Sequence, residues 1–326
     1  MEPPHRDPVA NPSRHSVRRL IFGAVRLVAV PLLLVWILSQ LMGSAWKETA
    51  VSYPIALAIG LAVNQIALGF FAVRMQLVLR LFDIRIGWWQ ALRIHLQSMF
   101  YFFALPMTVG LELARFVKIR QIQPSATVGQ VSSALILDRL LGAASALAVA
   151  ILCLPFVDAK IAILVPGWAW WTLALGAILA AIIMIWPRTR SLLWQAWSLA
   201  RGRWIGLSGL FVLSIVMHVL FAGGVLLTAH SLGLALTLPE TLFAVSGGML
   251  LVALPVSFAG LGPAEIGAAG LFVAMGYPLR VAVTVGALPY LLRLVGAVEG
   301  AVWELVESGT ATISATRRLM AGRNSS

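Results

Sequence analysis

Long unbroken apolar runs dominate the chain. They occupy residues 21–43, 51–73, 126–156, 161–187, 204–229 and 281–305, and each exceeds the roughly 20 residues that cross a bilayer as a helix. The pattern predicts six transmembrane helices. Two further apolar segments are interrupted. The one at 94–111 leads into Glu112 and holds Pro106 and Gly110, and the one at 240–277 holds Pro255, Gly260, Gly262 and Glu265. Proline removes a backbone donor and glycine loosens a helix, so these breaks leave polar groups that lipid cannot satisfy. Such backbone is tolerated at membrane depth only where it is buried in protein or lines a watery cavity.

The basic residues between runs orient the chain. Arg14, Arg18 and Arg19 precede the first run, which is too long for a signal peptide and is expected to be a retained anchor. The positive-inside rule then puts the N-terminus in the cytoplasm. Lys47 and Glu48 fall outside, and Arg74, Arg80, Arg85 and Arg93 inside. The segment 94–111 is followed by another inside cluster, Arg115, Lys118 and Arg120. With both flanks on one face, it must dip into the bilayer and return, with Thr108 and the half-helix ends facing protein or water. Asp158 and Lys160 fall outside, and Arg188, Arg190, Arg201 and Arg203 inside, bracketing an interfacial stretch with Leu192, Leu193, Trp194 and Trp197. The segment 240–277 has almost no basic charge and suits a dip from outside, while Arg317, Arg318 and Arg323 place the C-terminus inside.

The two dips resemble each other. "ALPMT" at 104–108 is echoed by "ALPVS" at 253–257, and "RLLGAA" at 139–144 by "RLVGAV" at 293–298. Each half is then two spans, a dip and a third span. Three crossings is an odd number, so the second copy is inserted upside down. The expected fold is an all-α integral membrane protein of about six transmembrane helices plus two re-entrant broken-helix hairpins, in two inverted repeats. Repeat 1 covers about 20–156 and repeat 2 about 161–305 of one membrane domain, 20–306, between cytoplasmic tails 1–19 and 307–326. In secondary transporters this arrangement puts the substrate near the midplane, between the repeats.

Composition narrows the function. The chain is 60% hydrophobic and 11% charged, against roughly one quarter charged in soluble domains. A lone cysteine, Cys153, excludes an internal disulfide framework. The net charge of +12 sits in short loops beside spans, where it orients the chain and attracts anionic headgroups; it is not gathered into a nucleic-acid recognition module. No phosphate-binding Gly-rich loop is present, and His5, His15, His95, His218 and His230 have no metal-ligand spacing. No cofactor or metal is expected, and no catalytic residue is assigned.

Two arginines carry the candidate chemistry. Arg139 and Arg293 occupy matching repeat positions near the middle of spans. A charge there costs a few kcal/mol and normally faces the bundle interior with a partner. The candidate partners are Asp138 and Glu112 in the first half, Glu265 and Glu299 in the second. These are either structural ion pairs locking each dip to its span or guanidinium forks for a lipid phosphate. Together with Arg115 they form the candidate headgroup-binding set. Glu112 and Glu265 follow the breaks, where helix N-termini stabilise a carboxylate; they either cap, or bind or exclude a charged headgroup or carry protons. His218 is expected to satisfy a backbone group, Asn64 and Gln65 to bond between helices, and Arg26 to snorkel to the interface. Trp168, Trp170 and Trp171 at a span end, and Trp88 and Trp89 in a loop, suit interfacial anchoring.

"LPMTVGLELARFVKIR" from 105, "SSALILDRLLG" at 132–142 and "LPVSFAGLGPAEIGAAGLFVAMG" at 254–276 together resemble the membrane domain of the lysylphosphatidylglycerol synthase family, also described as flippase-like. The likeness covers about residues 20–306, with Asp138-Arg139 and the Gly-Leu-Gly-x-x-Glu segment at 260–265 its most specific parts. Ala264 stands where the family commonly has arginine, and Leu111 where it usually has glycine. The resemblance implies the lipid-moving part of such proteins without the soluble aminoacyl-transferring part. The expected activity is movement of an anionic phospholipid or lipid-linked amphiphile between leaflets of the inner membrane, with membrane lipids as partners and a soluble lipid-synthesising enzyme as a further one. The alternatives are a lipid-modifying glycosyl or acyl transferase using Glu112, Asp138 and Glu265 as bases, and a non-transporting scaffold.

Overall fold

The computed structural model describes residues 52–104, 109–157, 194, 204–251 and 262–323, and those residues form helices with no strand among them. The runs 21–43 and 161–187, Arg26, the tryptophans at 168–171, the interfacial stretch other than Trp194, and Pro106, Thr108, Pro255 and Gly260 lie outside them.

The first helix, α1, spans Pro54–Leu81, with Pro54 in its first turn, where the absent N–H costs nothing. It ends in a turn with Asp83 at φ 61°, closed by Asp83 N–H to the Arg80 carbonyl (3.1 Å) and Ile84 N–H to the Leu79 carbonyl (3.0 Å). This is the left-handed stop that satisfies terminal carbonyls. A short helix α2, Trp88–Ala104, follows, and after a break α3, Val109–Ile122. Next comes α4, Val128–Cys153, begun by a reciprocal Thr127–Gln130 cap and prolonged by a 3-10 turn, Leu154–Phe156.

The same succession then recurs. Helix α5, Trp204–Ser231, stops at Gly233 (φ 76°), with Gly233 N–H on the His230 carbonyl (2.9 Å) and Leu234 N–H on the Ala229 carbonyl (3.1 Å). Two short helices follow, α6 at Leu238–Leu250 and α7 at Pro263–Ala274, and then a long one, α8, at Leu279–Arg323. Even the caps of α2 and α6 correspond: Gly87 N–H donates to Gln90 Oε1 (2.8 Å), and Thr237 N–H to Glu240 Oε2 (3.0 Å). Residues 83 and 233, and 87 and 237, are each 150 apart.

Packing follows the same correspondence. Helices α2 and α3 form one hairpin and α6 and α7 another, α1 lies along α5, α2 packs on α8 and α6 packs on α4. Each hairpin is thus clasped by a long helix of the other half. Where α1 meets α5 the backbones nearly touch, since a Cβ on Gly60 would lie 3.1 Å from the Gly224 carbonyl oxygen and one on Gly224 3.1 Å from that of Gly60. Small residues permit such an approach in membranes. The α2–α8 crossing is closer still: a Cβ on Gly300 would collide with the Leu96 backbone.

Among the described residues, four helices are long and apolar enough to cross a membrane: α1, α4 with its terminal turn, α5 and α8 through Glu307. They match the runs at 51–73, 126–156, 204–229 and 281–305. The structure moves three boundaries. Helix α1 continues past residue 73 to Leu81, which draws Arg74 and Arg80 out of the expected loop into the helix. Trp88 and Trp89 form the first turn of α2 and not a loop. Helix α8 continues beyond 305 to Arg323, so most of the expected tail is helical. In each case the polar residues are compatible with continued backbone bonding, and hydropathy registers only where the apolar surface ends.

Candidate membrane-embedded ion-pair site

Each half builds one arginine–glutamate pair between the second arm of its hairpin and its last long helix. Glu112 sits in the first turn of α3, where exposed N–H groups favour a carboxylate. Its Oε1 receives Arg139 of α4 through Nε (2.7 Å) and Nη2 (2.6 Å). In the second half Glu265, in the first turn of α7, uses Oε2 to accept the Gly262 N–H (2.8 Å) and Oε1 to pair with Arg293 of α8. Glu265 therefore caps and pairs at once, while Glu112 pairs from the first turn of its helix. Gly262 is the residue that caps α7, and Gly110 is buried in the first turn of α3.

The two pairs differ in exposure. The Arg139 and Glu112 side chains are 41% and 28% exposed, those of Arg293 and Glu265 14% and 7%. The second pair is thus enclosed, with the Arg293 guanidinium 5.7 Å from the centre of the Phe102 ring on hairpin 1. A small cavity beside it is lined by Val245, Met249, Ala268 and Pro289. The first pair opens at the surface of the described residues.

Behind the first pair lies a charged network that the sequence did not reveal. Arg74 of α1 grips Asp138 with Nε on Oδ1 (2.8 Å) and Nη2 on Oδ2 (3.0 Å), and its Nη1 reaches Ser214 Oγ of α5 (3.3 Å). Arg115, also buried, lies 3.6 Å from Asp138 Oδ2 and 3.5 Å from Glu112 Oε1. It further donates to Ser98 Oγ (3.3 Å) and contacts His95 Nδ1 (2.8 Å). A guanidinium has no acceptor, so His95 must accept at Nδ1, and its ring is neutral here. That ring stacks on Phe71, with centroids 5.3 Å apart. Buried Glu112 Oε2 has no hydrogen-bond partner among the described residues.

Two candidate pairings are corrected. Asp138 is not the partner of Arg139: neighbours on a helix point about 100° apart, and Asp138 faces Arg74 and Arg115. Glu299 is not the partner of Arg293; it accepts from Gln65 Nε2 (2.5 Å), tying α8 to α1. Asn64 reaches the Leu292 carbonyl (3.3 Å), and His218 Nε2 the Gly142 carbonyl (3.1 Å), so these three polar residues bond between helices as expected. Arg74 was hidden because an arginine one position beyond an apolar run reads as a loop charge. Its clue was Asp138, an acid inside a span that must be offset by a cation from another helix.

A second cluster joins hairpin 1 to the lower part of α8. Lys118 contacts Glu304 (2.8 Å) and Glu307 (2.9 Å), Arg93 contacts Glu307 (3.0 Å), and Tyr101 and Gln97 donate to Glu304 (2.9 Å) and Glu307 (2.8 Å). Two cations face two anions there, so the cluster is balanced.

No curated protein and no solved structure matches the chain. The family described as lysylphosphatidylglycerol synthase TM region matches residues 21–296. With its long apolar helices, its paired hairpins and a match over most of its length, this chain is a membrane protein belonging to the lysylphosphatidylglycerol synthase transmembrane-region family.

Proposed function

We propose that the protein moves an anionic phospholipid, or a lipid-linked amphiphile with a phosphate headgroup, between the leaflets of the inner membrane. The observation that carries this reading is the recurrence of one arginine–glutamate pair at equivalent places in both halves, Arg139–Glu112 and Arg293–Glu265. A guanidinium at membrane depth offers a phosphate the fork it needs on leaving water. A pairing carboxylate stabilises that guanidinium when no lipid is present.

The matching turns, caps and packing of the two halves support a duplicated architecture, and the three crossings per half expected from the sequence make the copies inverted in this reading. In this reading hairpin 1 enters from the cytoplasmic face and hairpin 2 from the opposite face, both termini are cytoplasmic, and the lipid headgroup passes between the hairpins while its chains stay in the bilayer.

The test is reconstitution into vesicles with acyl-labelled fluorescent phospholipid. Leaflet exchange faster than in empty vesicles is expected, and Arg139→Ala combined with Arg293→Ala should remove the gain. A folded double variant that exchanges lipid at the parental rate overturns the site.

A further inference from the structure

We infer that charge selection is one-sided: the first half holds an anion site selecting headgroups of net charge −1, while the balanced second-half pair sets no charge preference. This rests on the lipid-moving reading and adds which half selects the phosphate and which charge it must bring.

The observation is a charge excess. The first-half network gathers three guanidiniums, Arg74, Arg115 and Arg139, around only two carboxylates, Asp138 and Glu112. His95 accepts a hydrogen bond from Arg115 and adds no charge. Among the described residues one positive charge is left over, in a network whose Arg74 and Arg115 are buried and whose open member is Arg139. Neighbouring described acids do not cancel it. Glu304 and Glu307 are engaged by Lys118 and Arg93. Glu299 bonds to Gln65, nine positions from Arg74 on the same helix, which is about 13 Å along its axis.

The second half has no such excess. At the positions corresponding to Arg74, Arg115 and Asp138 the chain has Gly224, Ala268 and Leu292, leaving Arg293 and Glu265 as a balanced, enclosed pair. Exposure agrees with the charge. Arg139 is the open member of the network, and both its described contacts use one oxygen of Glu112, through Nε and Nη2. Its Nη1 has no hydrogen bond among the described residues and can take a phosphate oxygen without breaking the pair. Arg74 and Arg115 do not touch the ligand; they set the charge it must neutralise.

The experiment compares three acyl-labelled lipids in vesicles holding the full chain: phosphatidylglycerol (net −1), phosphatidylcholine (net zero) and phosphatidic acid (more negative). The parent should exchange phosphatidylglycerol over phosphatidylcholine by roughly tenfold or more, a difference of about 1.4 kcal/mol. Ser98→Asp, which sets a carboxylate beside Arg115, should bring that ratio close to one, with Ser98→Ala as the control that keeps it. Glu112→Gln adds one net positive charge and should move the preference to phosphatidic acid. Glu265→Gln combined with Arg293→Gln should leave the preference intact, whatever happens to the rate. A parental ratio near one, or a preference lost on changing the second-half pair, overturns the proposal.

If no lipid exchanges at all, the transport reading fails separately. Retention of phosphatidylglycerol over phosphatidylcholine by the purified protein in native mass spectrometry then decides the site alone, for or against. Excess inorganic phosphate should not displace the retained lipid; displacement would make the site one for free phosphate and overturn the headgroup assignment.

Discussion

Arg74 grips Asp138 across 64 residues of sequence, one guanidinium nitrogen on each carboxylate oxygen at 2.8 and 3.0 Å, with both side chains under a tenth exposed. This buried fork joins α1 to α4; removing Asp138 leaves Arg74 buried without its carboxylate, and removing Arg74 leaves Asp138 only the 3.6 Å approach of Arg115. Asp138→Ala or Arg74→Ala should destabilise the protein by about 3–5 kcal/mol, read as a lowered midpoint of thermal unfolding in detergent. Arg74→Lys should recover only part of the loss, since an ammonium cannot make the two parallel bonds. A lysine variant as stable as the parent would show that charge alone matters.

The approach of α1 to α5 gives a steric prediction. Gly60→Leu has nowhere to place its side chain, because its Cβ would already lie 2.8 Å from Thr228 Oγ1 and 3.1 Å from the Gly224 carbonyl. A cost of about 1–3 kcal/mol is expected. Gly209→Leu, on the same helix as Gly224 but with nothing within 4 Å of its Cβ, should melt near the parent.

The rim of hairpin 2 carries a pH-sensitive cap. Burial opposes ionisation of Glu240, but the Thr237 hydroxyl and N–H and the Tyr277 hydroxyl outweigh it and hold the carboxyl below its usual range. A lowered folded value means the cap's contribution is complete above the ordinary glutamate value and fades as pH falls through the folded one. Hydrogen exchange in the first turn of α6 should therefore gain an acid-dependent component below about pH 4.3 beyond the intrinsic rate. Glu240→Gln should lose that component. Tyr277 is pushed up to about 12, by burial first and then by Glu240, so its contribution is whole at neutral pH and disappears only as pH rises through that value.

The proposed inversion of the two halves makes a topological prediction. Arg85 and Ala235 are exposed and occupy equivalent turns, after α1 and after α5. In a Cys153→Ser background, an impermeant thiol reagent should reach Arg85→Cys from the cytoplasmic side and Ala235→Cys from the other. Labelling of both from one side contradicts the inversion.

Much of this was legible in the sequence because membrane burial writes itself in one dimension. A run of twenty apolar residues has few outcomes in lipid, so four of the predicted long helices appear and begin within about three residues of their expected starts, although α1 and α8 run on past their expected ends. The two interrupted segments became paired short helices. The membrane-domain family, too, was readable from three motifs before the match over residues 21–296. The chemistry-bearing residues were also identifiable, since a charge inside an apolar run stands out for its cost. Both mid-span arginines and both glutamates after the breaks proved to be paired.

Only the tertiary structure decided who pairs with whom. Asp138 and Arg139 are adjacent in sequence, yet they serve different networks because a helix turns them to different faces. Arg74 lay just past an apolar run, where hydropathy cannot distinguish one more buried turn from the start of a loop; its burial depends on Asp138 arriving from 64 residues away. The unequal exposure of the two arginine–glutamate pairs was equally unreadable, because exposure belongs to the packed assembly and not to any segment. Sequence fixes the cost of placing a charge in lipid, while the side chain that offsets it is selected in three dimensions.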